Sequence, residues 1–170
     1  MAAHGAAGER RVTIVTRTAS ATEAFAGHLA GVARPGDRVL LDGPLGAGKT
    51  CFVRGFAAGL EVREPVASPS FTLMHEHEGR IALFHQDLYR LTGAADAEAA
   101  GLLDPRLAEG VTLVEWADRL PRPAHGDALA IRIDAAPDDA RTIVLAAWPH
   151  GRYRAWLDAD RKSTRLNSSH

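Results

Sequence analysis

This sequence is poor in lysine. Of its 20 Lys and Arg residues only Lys49 and Lys162 are lysines, and arginine supplies the rest. It holds one cysteine, Cys51, one glutamine, Gln86, and one asparagine, Asn167. A single cysteine excludes an intrachain disulfide and fits a reducing, intracellular setting. No stretch approaches the ~20 consecutive apolar residues that span a bilayer. The N-terminal "MAAHGAAGERR" lacks the apolar core, roughly 7–15 residues long, of a signal peptide. A cytoplasmic location without membrane association is therefore expected. The formal net charge of −1 leaves no overall basic field that would hold nucleic acid by itself.

What is present reads as an ordinary globular protein. The 170 residues are 46% hydrophobic and 24% charged, enough for one domain with a core. The wealth of Ala, Gly, Arg and Pro reads as coding pressure toward GC-rich codons, under which arginine replaces lysine wherever a generic positive charge suffices. Lys49 therefore marks a position where a compact ammonium is needed and a planar guanidinium will not serve. Residues 1–10 read as a flexible leader and 11–159 as a single domain. The tail 160–170, "DRKSTRLNSSH", breaks the composition abruptly and looks like the translation of a sequencing-adapter read-through. It is expected to be non-native and no part of the fold.

Periodicity supplies the elements. "RVTIVT", 11–16, is β-branched and alternating, the pattern of a strand. "SATEAFAGHLAGVA", 20–33, has Phe25, Leu29 and Val32 at helical spacing, with Ser20 as the expected N-cap and Glu23 closing a capping box. "DRVLLDG", 37–43, is a short apolar run of the buried-strand type, and 50–60 reads as a helix ending near Gly59. After a Pro/Ser loop come two strand-like runs, 71–77 and 81–86, with Glu78-Gly79 as their turn. "GAADAEAAGLL" predicts a short Ala-rich helix, and "GVTLVEWADRL", 110–120, a second buried strand. "ALAIRID" and "RTIVLAAW" form a late antiparallel pair, and "GRYRAWLDA" a closing helix. Strands and helices alternating about a Gly-rich turn predict an α/β, three-layer domain of the P-loop NTPase type, its sheet mixed and mostly parallel with antiparallel additions.

"GPLGAGKT", 43–50, fits G-x-x-x-x-G-K-[ST], with a predicted strand running in and a predicted helix running out. That context makes the loop's amides and the helix N-terminus converge on phosphates. Lys49 would reach the β- and γ-phosphates and Thr50 would place its hydroxyl on Mg²⁺. The plain alternative is a tight turn in a Gly-rich chain. Such a site also needs a carboxylate at a neighbouring strand end. Glu115 in "VTLVEW" is placed to hold Mg²⁺ or simply to meet solvent. Trp116 beside it either stacks on a neighbouring group or merely packs. Asp87 in "HQDLYR" could position water, bind Mg²⁺, face a partner or close a surface turn. "SPSFTL", 68–73, is either a γ-phosphate-sensing loop or a plain Ser/Pro loop. "HEHE", 75–78, invites a zinc assignment. His75 and His77 share a strand face but no third ligand stands at suitable spacing, so a partly exposed strand is the expectation. Cys51 is expected to be a small buried filler. Arg132, Arg141, Arg152 and Arg154 could face RNA, with a solvated surface as the simple reading.

Together "GPLGAGKT", "VASPSFTL", "HQDLYRL", "AEAAGL" and "VEWADRL" resemble the TsaE (YjeE) family of small bacterial P-loop ATPases in order and spacing, across roughly residues 20–120. The resemblance implies an ATPase, weak alone, that takes ATP and Mg²⁺. It would serve the two-subunit transferase (subunits of the TsaD and TsaB type) that moves threonylcarbamoyl onto the adenosine beside the anticodon of tRNA. A separate synthase makes the threonylcarbamoyl-adenylate. Carried over by motif, Leu45, Gly46, Ala47, Gly48, Lys49 and Thr50 would hold the phosphates, and Thr50 with Glu115 would hold Mg²⁺. Asp87 would be the catalytic carboxylate alongside Lys49. Ser68 to Thr72, with Ser70 toward the nucleotide, would be the mobile loop, and Thr22 would stand near the base. Pro44, Cys51, Ser70 and Ala117 depart from frequent family residues without removing a chemical group the mechanism needs.

Three other readings compete with this one. A GTPase would need an Asn-Lys-x-Asp signature, which a body without asparagine cannot contain. A small-molecule kinase would need an arginine-bearing lid, and the 93–101 segment has no arginine. A nucleotide-gated binding module that hardly hydrolyses remains a different class of reading.

Overall fold

The computed structural model describes residues 8–44, 46–69, 71–120, 127–147 and 151–159. Most of the 1–10 leader and all of the 160–170 tail fall outside them, although Arg10 already belongs to the first strand. β1 (Arg10–Thr16), α1 (Ala19–Ala30), β2 (Arg38–Asp42) and α2 (Lys49–Gly59) come first. The hairpin of β3 (Met74–His77) and β4 (Ala82–Asp87) follows, then α3 (Ala94–Ala99) and β5 (Gly110–Glu115). β6 (Leu129–Ala135), β7 (Arg141–Ala147) and a short helix α4 at 154–159 close the described chain.

The strands make one seven-stranded sheet in the order β1-β7-β6-β2-β5-β4-β3. Its four central strands are parallel: β6 with β2, β2 with β5, and β5 with β4. The margins are antiparallel, β1–β7–β6 on one side and β3–β4 on the other. This is the expected α/β, three-layer architecture with a mixed sheet. Successive side chains along a strand point to opposite faces. Thus Val39, Leu41, Val111 and Leu113 join the larger core with α1, α2 and α4, while Leu40 and Val114 join the smaller one with Ala97 and Leu102 around α3.

Three details differ from the periodicity reading. α1 starts earlier than expected and is capped by Thr18, not Ser20. Thr18 takes an extended backbone on leaving β1, and its hydroxyl accepts the Ala21 N–H at 3.0 Å. The Ala-rich helix is only six residues, because Gly101 turns left-handed at φ 77° and stops it. The first hairpin strand begins at Met74, since Leu73 takes φ 63°.

The C-terminal segment locks onto the start of β2. The Trp156 ring stacks on Phe56 at 5.7 Å, and its indole N–H donates to the buried carboxylate of Asp37 at 3.0 Å. Asp37 also accepts from the Arg34 N–H and lies 3.1 Å from the Arg152 guanidinium. The Tyr153 hydroxyl accepts the Arg38 N–H and donates to the Asp127 carbonyl. Burial raises the Tyr153 phenol above its usual range, so it stays a neutral donor.

α1 and α2 cross through glycines. A Cβ on Gly55 would stand 2.3 Å from the Glu23 carbonyl oxygen, and one on Gly59 would stand 2.5 Å from that of Gly27. Alanine normally stabilises a helix relative to glycine by about 0.5–1 kcal/mol. At Gly55 the sign should reverse, because the obstacle is backbone that cannot turn aside. Gly55→Ala should destabilise the protein by about 3 kcal/mol, measured as the urea midpoint followed by circular dichroism. An unchanged or raised midpoint would refute this account of the helix crossing.

Candidate functional site

Parallel strands end together. Leu41 of β2 pairs with Glu115 of β5, and Glu115 pairs with Asp87 of β4. The last residues of three adjacent strands therefore present the glycine loop and two carboxylates at one edge of the sheet. In open α/β sheets, ligands bind outside the carboxyl ends of the strands.

The loop is shaped by what its glycines lack. Gly43 takes φ 151° directly after β2, and a Cβ there would come 2.3 Å from the Ile133 carbonyl oxygen of β6. Gly48 is the N-cap of α2 at φ 106°, a left-handed conformation that most side chains resist. No side chain caps this helix end. Its first N–H groups, with the positive end of the helix dipole, face the loop. Thr50 and Gly46 are exposed at its mouth, and Leu45 lies outside the described residues.

Lys49 is only 7% exposed. Its Nζ sits 4.4 Å from the centroid of the Trp116 ring. Among the described residues no carboxylate lies within ion-pair distance of it. A buried ammonium without an opposite charge is costly, and the aromatic face offsets part of that cost. Trp116 reaches this position through a left-handed backbone, φ 58° and ψ 42°, immediately after β5 ends. A non-glycine residue held there stores roughly 1–3 kcal/mol of strain. The enclosed cation, the uncapped helix end and the glycine cradle together fit an anionic ligand such as a polyphosphate.

The two carboxylates are fastened to other groups. Glu115, 5% exposed, has its Oε2 2.6 Å from the Nε2 of His85. Asp87, 8% exposed, accepts the Ser68 hydroxyl at 2.7 Å on Oδ2 and the Tyr89 N–H at 3.1 Å on Oδ1. Ser68 thus ties the "SPSFTL" loop to the strand-end carboxylate, while Ser70 lies outside the described residues. The sequence reading missed His85. Its signal was available, because the period of two along β4 puts His85 and Asp87 on one face, and the register sets Asp87 opposite Glu115.

Other expected residues are placed as follows. Thr22 is buried, and its hydroxyl lies 2.7 Å from that of Thr16 and donates to the Thr18 carbonyl. A base contact through this hydroxyl would require those bonds to break. Trp116 packs against Tyr89, with ring centroids 5.0 Å apart and planes inclined at 56°, and Arg119 lies over the Tyr89 ring at 5.4 Å. Arg90 covers the exposed Phe71 at 4.6 Å. In "HEHE", His77 is buried and 2.6 Å from Glu64, and no group of three metal-binding side chains occurs among the described residues. The four arginines do not share a face. Arg152 and Arg154 pair with Asp37 and Asp158 near the start of β2, whereas Arg132 pairs with Asp42 and Asp134 at its other end.

Cys51 is a correction. It is half-exposed and not a buried filler, because the first turn of α2 points it at α1. Its Sγ donates to the Ala19 carbonyl at 3.2 Å and lies 3.6 Å from Glu23 Oε1. Desolvation raises the thiol pKa, and the charge and hydrogen bond of Glu23 add to this against the opposing Arg54 and Arg141. The thiolate is therefore scarcer at neutral pH than in a free cysteine. Iodoacetamide should alkylate Cys51 more slowly than it alkylates glutathione at pH 8, and Glu23→Gln should speed the reaction. Mass spectrometry of timed aliquots reads both rates, and a parent protein faster than glutathione would overturn the assignment.

Similarity to known proteins agrees with this geometry. Residues 16–143 match the family described as threonylcarbamoyl adenosine biosynthesis protein TsaE. The tRNA threonylcarbamoyladenosine biosynthesis protein TsaE of Bacillus subtilis is 42% identical over 127 residues, 74% of this chain and 79% of that protein. Its namesake in Treponema pallidum is 35% identical, covering 78% of this chain and 98% of its own length. The crystal structure of Bacillus subtilis YdiB superposes with a TM-score of 0.71 at 34% identity, covering 91% of this chain and 97% of YdiB.

Proposed function

This chain belongs to the TsaE family, and on that premise we propose that it binds and hydrolyses Mg–ATP in support of threonylcarbamoyl transfer to tRNA. The transferase it serves would be the pair of subunits of the TsaD and TsaB type, acting on the adenosine beside the anticodon in the cytoplasm. The observation that carries the reading is Lys49: a nearly buried cation that no carboxylate among the described residues pairs with, at an uncapped helix N-terminus, on the sheet edge that carries two buried strand-end carboxylates.

In this reading the loop from Leu45 to Thr50 cradles the phosphates with main-chain N–H groups, and Lys49 leaves the Trp116 face to meet them. Thr50 and, through water, Glu115 would hold Mg²⁺. That ion would neutralise charge on the phosphate oxygens. His85 keeps the Glu115 carboxylate fixed at the strand end. Asp87, held by Ser68 and the Tyr89 N–H, orients the attacking water toward the γ-phosphate. Ser70 and its loop would sense that phosphate. Thr22 would stand behind the nucleoside, supporting the start of α1.

A second reading is a nucleotide-gated switch with little turnover. The run Lys49–Trp116–Tyr89–Arg119 favours it, because it links the loop to the half-exposed Tyr89 ring. Measuring ATP hydrolysis with and without the purified transferase pair separates the two.

Lys49→Ala should weaken ATP binding by about a hundredfold or more, since a hydrogen bond to a charged group is worth about 1.5–3 kcal/mol and the loop loses its charge as well. Calorimetric titration showing parental affinity would defeat the assignment. Asp87→Asn and Glu115→Gln should still bind ATP but hydrolyse it about a hundredfold more slowly. Turnover at the parent rate in both would show the carboxylates to be misassigned.

A further inference from the structure

We propose that Arg141 is a second polyphosphate-binding cation, reaching the glycine loop from the side opposite Asp87 and Glu115. The inference rests on the nucleotide-binding reading above and adds a residue that no motif marks.

The placement comes from the sheet. β6 runs parallel to β2, so the β6–β7 connection emerges at the edge that carries the loop. Arg141 opens β7 there, paired with Ala135 of β6 and Thr16 of β1. β5 and β4 flank β2 on its other side. The site therefore has its carboxylates on one flank and Arg141 on the other.

The side chain lies against the loop itself. A Cβ on Gly48 would stand 3.5 Å from Arg141 Nε and 3.8 Å from its Cδ. The arginine stem therefore lies within one van der Waals layer of the Gly48 backbone. Nη1 donates to the Asp139 and Ala140 carbonyls, which fixes the guanidinium beside the loop. Asp138 and Asp139 are near in sequence, yet among the described residues no carboxylate pairs with Arg141. Arg132, close by on β6, contrasts with it: Asp42 and Asp134 both hold it.

A half-buried guanidinium whose Nε and Nη2 have no partner among the described residues, next to a loop shaped for phosphates, suits phosphate oxygens bidentately. With Lys49 it brackets the anion between two cations, and its five N–H groups can serve phosphate and carbonyl together.

The test is calorimetric titration of the intact protein with ADP and with a non-hydrolysable ATP analogue in the presence of Mg²⁺. Arg141→Ala should weaken both by about 10- to 100-fold, the range for one or two charge-assisted hydrogen bonds. Arg141→Lys, which keeps the charge but loses the fork, should fall between the alanine variant and the parent. Arg132→Ala should stay within about twofold of the parent, because its charge is already paired. Circular dichroism melts establish that each variant is folded, and the lysine variant carries the test if the alanine variant is not. Parental affinity in Arg141→Ala, or in a folded Arg141→Lys, would overturn the inference while leaving the nucleotide-binding reading intact. A parent protein that binds neither ligand would overturn both.

Discussion

The Lys49 ammonium is enclosed with no carboxylate of the described residues in ion-pair reach. Removing an ammonium from water costs several kcal/mol even after relaxation, and the ring of Trp116 offsets only part of that. The surrounding structure is arranged to keep the charge unneutralised. Glu115 and Asp87 stand at the neighbouring strand ends, yet each is fastened elsewhere, Glu115 to His85 and Asp87 to Ser68 and the Tyr89 N–H. Were either to swing onto Lys49, the site would close on itself as an internal salt bridge. The left-handed backbone at Trp116 serves the same end, bringing an aromatic face to the lysine in place of a carboxylate.

The two ends of the sheet divide the work. At the start of β2, one carboxylate oxygen of Asp37 accepts from the Trp156 indole and the Arg34 N–H, the other faces the Arg152 guanidinium, and Tyr153 bridges two chain segments. That end is turned inward and braces the fold. At the finish of β2, the loop, the uncapped helix and Lys49 leave hydrogen-bonding capacity turned outward. Rigid packing of α1 on α2 through Gly55 and Gly59 joins the two ends, holding the first turn of α2 in place. A site whose donors are aimed in advance needs little reorganisation when its ligand arrives.

Several misreadings have a common cause. Ser20 looked like an N-cap because Ser and a following Glu satisfy a local pattern, but capping also needs an extended backbone, which Thr18 has on leaving β1 while Ser20 is already inside the helix. Cys51 looked like core filler because cysteine is usually buried, but its direction is set by where α1 crosses α2. His85 was passed over because no local pattern distinguishes a histidine in a strand, and its partner Glu115 is 30 residues away. Arg141 stood among surface arginines for the same reason: its neighbour Gly48 is far off in sequence and near only through the order of the strands.

Read alone, the chain determined its elements, the glycine loop with its lysine, the carboxylates that end two apolar runs, and its family. Each of these is local, written in the period of hydrophobic residues or in the spacing of a motif, so neighbouring residues suffice to specify it. Only the tertiary structure decided that the loop lies between two carboxylates and an arginine, that the lysine rests on a tryptophan, and that the carboxylates are tied to a histidine and a serine. Those relations depend on strand order, register and helix crossing, in which side chains distant along the chain are brought together by burying surface that no short segment can bury by itself.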